Sequence, residues 1–487
     1  MGVKSPTERQ QAYGLPLLVE SKAFKAFCIG EGCEAMKRII RSAVTGALCT
    51  ALLCGCSDIS FGEQTLLRPP RATGAKAEIQ TIIKEQAGNN YTLKYPQNGD
   101  HRSAVTVFET GKDKNHAEYA AALYSTDNDS KLNLSVMKND GEQWSWLGSF
   151  TNAGTGVDRL VLYDINNDGN DEILVGWTTY NTGQNTLSAY SLEEDSVREM
   201  SLNEIYTDIV IGDITEDKTP DIMLVSLRND KSSSNIKLLQ YSEQEKKPIG
   251  KFFLELDSEV VKFVSIICGK IDKNKSGIII DGEKPGDILT TQVIYFDDES
   301  GELIDPLVVQ NETQTVTNVT TRKDVITSRD IDSDGIIEIP VVSQLPAQPD
   351  TAPGAVCSMT SWEQMSVDKN VLKPKYNTVM NYNDGYYFMI PDVWNGSVTA
   401  ISNAGDRCID FYKWDSKTSV IGEKLISVTR FTSSEWEKAD KNAYVVHKNV
   451  SNNQNEYIIA VQRYYKDNGD EMNINSDKLE KAVVLIL

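Results

Sequence analysis

The chain has 487 residues, with Lys+Arg 49 against Asp+Glu 70, a formal net charge of -21, and 40% hydrophobic and 8% aromatic side chains. That length allows two or three domains, and the hydrophobic content argues against a disordered chain. The acidity argues against a nucleic-acid partner and against adsorption to anionic lipid through basic patches. Three scattered histidines, His101, His116 and His447, argue against a His-rich zinc centre.

In chain order, the first pattern begins at Met36, with M-K-R-I-I-R-S-A-V-T-G-A-L-C-T-A-L-L-C-G-C-S. Lys37, Arg38 and Arg41 form a positive start, and Ser42–Leu53 is an apolar run of 12 residues. Such a run is too short to span a bilayer and has the size of a signal-peptide core. It ends in Leu53-Cys54-Gly55-Cys56, which resembles a bacterial lipobox, although Cys54 in the middle position departs from the usual pattern. The resemblance implies cleavage after Gly55 and lipidation of Cys56. Residues 36–55 are then a lipoprotein signal peptide, and residues 1–35 an over-extended N-terminus. Residues 1–55 carry seven basic and four acidic side chains, so the chain from Cys56 onward carries -24. The expected place is the bacterial cell envelope, lipid-anchored and extracytoplasmic, with the membrane met through the anchor alone.

Residues 56–86 read as a polar tether, ending in a short helix near Ala75–Gln86. From about Asn90, short runs rich in Val, Ile, Leu, Tyr and Thr alternate with Asp, Asn, Gly and Ser clusters, the signal of many short strands joined by tight turns. A repeat emerges when the turns are aligned. D-I-N-N-D-G-N-D-E starts at Asp164, D-I-T-E-D-K-T-P-D at Asp213, K-I-D-K-N-K-S-G-I at Lys270 and D-I-D-S-D-G-I-I-E at Asp330, with spacings of 49, 57 and 60. Repeats of this size, about four strands each, fit the blades of a β-propeller. A degenerate blade is expected near Val105–Tyr124. The fold expected is mainly β: a β-propeller-like repeat domain over 87–380, then a small α+β domain over 381–487.

The loop spacing also carries chemistry. Oxygens at positions 1, 3 and 5 converge on one cation, Gly at position 6 allows the sharp turn, and a carbonyl at position 7 and a carboxylate at position 9 complete a hard-oxygen shell that selects Ca2+ over zinc. In the first loop these are Asp164, Asn166, Asp168, the Asn170 carbonyl and Glu172. In the last they are Asp330, Asp332, Asp334, the Ile336 carbonyl and Glu338. A strand follows each loop at once, unlike the exiting helix of an EF-hand. The second loop keeps Asp213, Asp217 and Asp221 but has Thr215 at position 3 and Lys218 in place of Gly, and is expected to bind weakly. The third, with Lys270 at position 1 and Ile278 at position 9, is expected to bind no ion, the Lys270 ammonium standing in for it. These four loops and their flanking strands resemble FG-GAP/VCBS-type repeats, as in integrin α-chain propellers and many bacterial surface proteins. The resemblance implies a propeller stapled by structural calcium and no particular ligand.

Beyond the repeats, Ser433-Ser434-Glu435-Trp436 reads as a capped helix start, Ser476–Val483 as a helix and Phe388–Trp394 as a proline turn with a core Trp. Cys268 reads as a core residue, while Cys357 and Cys408 leave pairing open. No G-x-S-x-G, H-E-x-x-H, G-x-x-x-x-G-K-[ST] or G-x-G-x-x-G signature occurs. The expected function is a non-enzymatic module that binds an extracellular protein or glycan. The alternative is a carbohydrate-active enzyme, a polysaccharide lyase or glycosidase, on the same scaffold.

Overall fold

The computed structural model describes residues 74–486, apart from 112–116, 127–130, 182, 230–231, 311–314, 318, 353, 452–455 and 467–469. The expected signal peptide, Cys56, most of the tether and His116 lie outside the described residues.

The chain enters through helix α1 (Ala75–Ala87), bounded by Gly74 and Gly88, both at positive φ, with Glu78 in the first turn and Lys84 in the last as the helix dipole favours. Among the described residues six antiparallel sheets follow, with one two-stranded ribbon. The first holds β1 (Tyr91–Leu93), β2 (Val105–Thr110), β3 (Ala117–Thr126), β4 (Leu132–Asn139) and β5 (Trp144–Asn152), with β1 and β2 end to end along β3. The second holds β6 (Gly156–Tyr163), β7 (Glu172–Thr178), β8 (Asn185–Leu192) and β9 (Val197–Tyr206). The third holds β10 (Asp208–Gly212), β11 (Asp221–Ser226), β12 (Asn235–Ser242) and β13 (Lys247–Glu255). The fourth holds β14 (Lys262–Asp272), β15 (Lys275–Lys284), β16 (Ile288–Asp297) and β17 (Glu302–Ile304). After the ribbon of β18 (Val308–Gln310) and β19 (Thr315–Thr317), the fifth sheet runs β20 (Ile339–Gln344), β21 (Ser358–Ser366), β22 (Val371–Asn381) and β23 (Tyr386–Ile390). The sixth is built from β24 (Val398–Asn403), β25 (Cys408–Asp415), β26 (Val420–Thr432), β27 (Tyr444–Ser451) and β28 (Glu456–Arg463), with α2 (Ser433–Lys438) and α3 (Ser476–Ala482) beside it. The closing strand β29 (Val483–Leu485) returns to β23 of the fifth sheet.

The apolar runs that follow each repeat loop become the second strands, β7, β11 and β15. These are buried along almost their whole length, because every inner sheet is covered on both faces. Apolar clusters join each sheet to the next. Leu134 and Val136 meet Val175 and Trp177, and Leu187 and Tyr206 meet Ile222 and Leu224. Met223 and Leu238 meet Ile278 and Ile280, and Tyr295 and Ile279 meet Ile339 and Met365. Val379 and Phe388 meet Phe411 and Ile459. The two outer faces are covered by helices. Ile79 and Ile83 of α1 pack on Ala120, Ala122 and Met137 of the first sheet, and Trp436 of α2 packs on Ile458 and Ala460 of the sixth. Among the described residues no apolar cluster joins the first sheet to the sixth.

This is the expected mainly-β, propeller-like repeat domain with a small α+β part after it. The division expected at 380/381 falls at the end of β22, within a core shared by the fifth and sixth sheets, so packing runs through it without a break. The capped helix start is set by Thr432, which forms a capping box with Glu435, and Trp394 is fully buried beside Phe388 and Phe411. Cys268, Cys357 and Cys408 are free thiols.

The segment leading into the fifth sheet makes only isolated bridges, Arg322 with Leu289 and Arg329 with Glu338, and is held by a buried ion pair. Arg322 Nη2 lies 2.9 Å from Asp281 Oδ1, with both side chains 0% exposed. Arg322 also donates to the carbonyls of Ile326 and Thr320, while Asp281 accepts from Ser328 N and Thr291 Oγ1. With every polar atom of the pair answered, the desolvation of two charges is offset.

Asp305, after β17, accepts from Gln292 Nε2 at 2.8 Å and from Leu307 N at 3.0 Å, and desolvation pushes its pKa up to about 7. A carboxyl raised on folding contributes stability below its unfolded pKa, and that contribution is lost as pH rises through about 7. Relative to Asp305→Asn, the wild-type Tm therefore falls as pH is raised from about 5 to about 8. A pH series of thermal melts on the two proteins checks this, and parallel curves would refute it.

Candidate functional site

The repeat loops occupy equivalent corners of successive sheets. The first joins β6 to β7, the second joins β10 to β11, and the last enters β20. Their hydrogen bonds repeat atom for atom. The position-1 carboxylate accepts the N–H of position 6: Asp164 from Gly169 at 2.9 Å, Asp213 from Lys218 at 3.0 Å, Asp330 from Gly335 at 2.8 Å. The position-5 carboxylate accepts the N–H of position 7: Asp168 from Asn170 at 2.7 Å, Asp217 from Thr219 at 2.7 Å, Asp334 from Ile336 at 2.9 Å. The position-9 carboxylate accepts the N–H of position 2: Glu172 from Ile165 at 3.1 Å, Asp221 from Ile214 at 2.8 Å, Glu338 from Ile331 at 2.9 Å. Positions 4 and 6 take positive φ in all three, so Lys218 adopts at 70° the conformation that Gly169 and Gly335 adopt without strain. The third corner is instead a two-residue hairpin at Lys273-Asn274, since Asp272 pairs with Lys275. Its Lys270 Nζ donates to the Lys273 carbonyl at 3.3 Å.

The position-9 carboxylates are the buried members, at most 1% exposed. Desolvation raises the pKa of all three, with Glu172 reaching about 8 under the added repulsion of Asp168. Each is answered by the residue opposite it on the next strand. Ser191 Oγ donates to Glu172 Oε1 at 3.2 Å, Gln240 Nε2 to Asp221 Oδ1 at 2.8 Å and Gln364 Nε2 to Glu338 Oε1 at 2.7 Å. In the third sheet of the loop series, Ile278 faces Ile294, so an apolar pair replaces the polar one. Ser191, Gln240 and Gln364 lie outside the nine-residue loop pattern. The matching Q-x-S phrases Gln240-Tyr241-Ser242 and Gln364-Met365-Ser366 were the available signal.

The fit to a divalent ion differs between corners. In the last, oxygens of Asp330, Asp332 and Glu338 lie within 4.8 Å of one another. Lys375 Nζ lies among them, 3.0 Å from Asp332 Oδ2, 3.6 Å from Glu338 Oε1 and in contact with Asp334. Tyr376 O–H donates to Asp332 at 2.8 Å. The Lys375 bond is the leading reason that the Asp334 pKa is lowered. With that ammonium in place the last corner does not fit a second cation. In the second corner, Gln240 Nε2 also reaches Thr215 Oγ1 and Asp217 Oδ2, each at 3.0 Å, while Asp213 Oδ1 is buried without a hydrogen bond. The first corner holds no such ammonium, but among the described residues its carboxylates are not drawn within 4.8 Å of one another as those of the last corner are. Its donors are Asp164, Asn166, Asp168, the Asn170 carbonyl and Glu172, and the opposing strand offers only the short Ser191. Its own Asn166 Nδ2 bridges Asp168 and Glu172 at 3.1 Å each.

Neighbouring sheets approach closely just before these corners. A Cβ on Gly212 would stand 2.5 Å from Cys268 Sγ, and one on Gly269 would stand 2.9 Å from Ile337 Cδ1. The other end of the sheets carries the turns after β7 and β15 and the entries to β6, β14 and β16. There Tyr180 is 83%, Val325 73% and Tyr95 62% exposed, and Val261, Val319 and Tyr382 are exposed beside the same strand ends. Tyr95 is held there because Gln97 N donates to the Val157 and Asp158 carbonyls at the start of β6. His447 stands on β27 with its ring 5.4 Å from Trp436.

No family model and no curated protein matches the chain. Among solved structures, the chain is similar to the periplasmic gluconolactonase PpgL of Pseudomonas aeruginosa at 11% identity, covering 69% of this chain and 88% of that one with a TM-score of 0.29. It is similar to Sqt1 of Chaetomium thermophilum at 9% identity, covering 77% and 98% with a TM-score of 0.30. It is also similar to the exotype rhamnogalacturonan lyase YesX at 10% identity, covering 69% and 83% with a TM-score of 0.25.

Replacing Gln240 by Ala strips Asp221 Oδ1 of its amide partner inside the sheet stack. Gln240→Ala therefore lowers unfolding free energy by about 1–3 kcal/mol, measured by urea denaturation. An unchanged midpoint would remove the corner amide from the account.

Proposed function

We propose that this protein is a lipid-anchored module of the bacterial cell envelope that binds an extracellular protein through the sheet end opposite the corners. The observation that supports the reading is that exposed Tyr95, Tyr180, Val261, Val319, Val325 and Tyr382 all stand at turns or strand ends on that side of their sheets. Exposed apolar groups collected on one surface mark interaction sites, whereas scattered ones do not. Aliphatic Val beside Tyr favours a protein surface, since a glycan would be met by aromatic faces with polar neighbours. The corners, by contrast, fasten strand to strand, and calcium held by Asp164, Asn166, Asp168, the Asn170 carbonyl and Glu172 would add structural charge neutralisation in the first of them. A net charge of -24 from Cys56 onward keeps such a module soluble on its tether.

The binding reading is tested by a paired substitution, Tyr180→Ser with Val325→Ser, against the control Tyr163→Ser at the corner end. Partners cross-linked to the wild type on intact cells are retained by the control and lost from the pair, with Tm unchanged in both. Equal retention by both variants would overturn the proposal. Anchoring has its own test. Cys56→Ser moves the protein from the membrane to the soluble fraction and abolishes incorporation of labelled fatty acid, and a variant still membrane-bound and labelled would sink the lipidation.

A further inference from the structure

The last corner holds a cation of the protein's own. Lys375 lies on β22, far from the loop in sequence, yet its Nζ reaches Asp332, Asp334 and Glu338, the carboxylates at motif positions 3, 5 and 9. Gln240 Nε2 in the second corner reaches Thr215, Asp217 and Asp221, the same three positions. In the first corner the side-chain nitrogen that touches positions 5 and 9 is Asn166 Nδ2, which belongs to the loop itself. Side-chain nitrogen thus meets the position-5 and position-9 carboxylates in all three corners, and only in the last, where Lys375 joins Gln364, does one of those nitrogens carry a full positive charge.

The surroundings suit a permanent occupant. The Lys375 side chain is 24% exposed, Asp332 16% and Glu338 0%, so the ammonium sits in a half-enclosed site where Coulomb attraction is screened less than at an open surface. Tyr376 and Gln364 complete the shell by donating to Asp332 and to Asp334 and Glu338. A divalent ion entering this corner would have to expel the ammonium and break these contacts.

We infer that Lys375 is a built-in counter-ion that replaces the divalent ion of the last corner, making this staple of the sheet array independent of metal. The inference stands apart from the binding function proposed above and from whether the first corner takes calcium.

The test uses the full chain carrying Asp164→Asn, which silences the first corner. In that background, millimolar calcium and chelator give the same Tm, and terbium shows no luminescence sensitised by Tyr376. Adding Lys375→Met lowers the Tm in chelator and creates a calcium-dependent recovery with terbium luminescence. Apparent affinity rises about tenfold or more over the Lys375 parent, as expected when a competing charge is removed, and Asp330→Asn abolishes the gain. The inference is overturned if Lys375→Met gains no calcium response. It is equally overturned if the Asp164→Asn protein already responds to calcium and Asp330→Asn removes that response. The second comparison keeps Lys375 in place and decides the matter even where Lys375→Met does not fold.

Discussion

Burial of one carboxylate at the base of each corner is the constraint on which this architecture turns. Glu172 and Asp221 begin β7 and β11, Glu338 immediately precedes β20, and each ties its strand back to the loop through the N–H of position 2. A carboxylate removed from water is costly unless hydrogen-bonded and neutralised. Each corner therefore carries a compensating device, and the devices differ: a hydroxyl and raised pKa at Glu172, an amide at Asp221, an amide and an ammonium at Glu338. The remaining corner avoids the problem by pairing Ile278 with Ile294. One loop geometry thus survives three solutions to the same electrostatic demand, and the corner without the demand is a plain two-residue hairpin.

Around these corners the sheets stack by apolar contact. Close approach at Gly212 against Cys268 and at Gly269 against Ile337 leaves no room for a Cβ, which explains why small residues stand just before two of the loops. The stack ends in helices at both sides: α1 supplies Ile79 and Ile83 to the first sheet, and α2 supplies Trp436 to the sixth. A sheet covered on one face only would expose an apolar surface, and terminal caps are the usual remedy in repeat architectures. The α+β part is in this sense the end of the same stack, joined to the fifth sheet through Phe388, Phe411 and the returning β29.

Division of labour between the two ends of the sheets follows from the same construction. The corner end is committed to polar bonds that fasten loops to strands. The other end consists of turns and strand entries anchored by ion pairs such as Arg159–Asp158 and Lys284–Asp257, from which Tyr180 and Val325 face outward. Loops positioned by a rigid scaffold are where recognition is usually placed.

Much of this was legible in the sequence. Alternating apolar runs announced the strands, the recurring D-x-[DN]-x-D-G-x-x-[DE] spacing located equivalent corners, and α1, α2 and α3 lie close to the helices read near Ala75–Gln86, from Ser433 and near Ser476–Val483, because all of these are set by residues within a few positions of one another. The occupants of the corners were not legible. Gln240, Gln364 and Lys375 belong to later strands, and which side chain meets Asp221 or Glu338 depends on cross-strand register. Register is decided when sheets pair and stack, since a shift of one residue would turn each of these groups to the opposite face. Local spacing therefore determined where the carboxylates stand, and only the tertiary pairing decided what neutralises them.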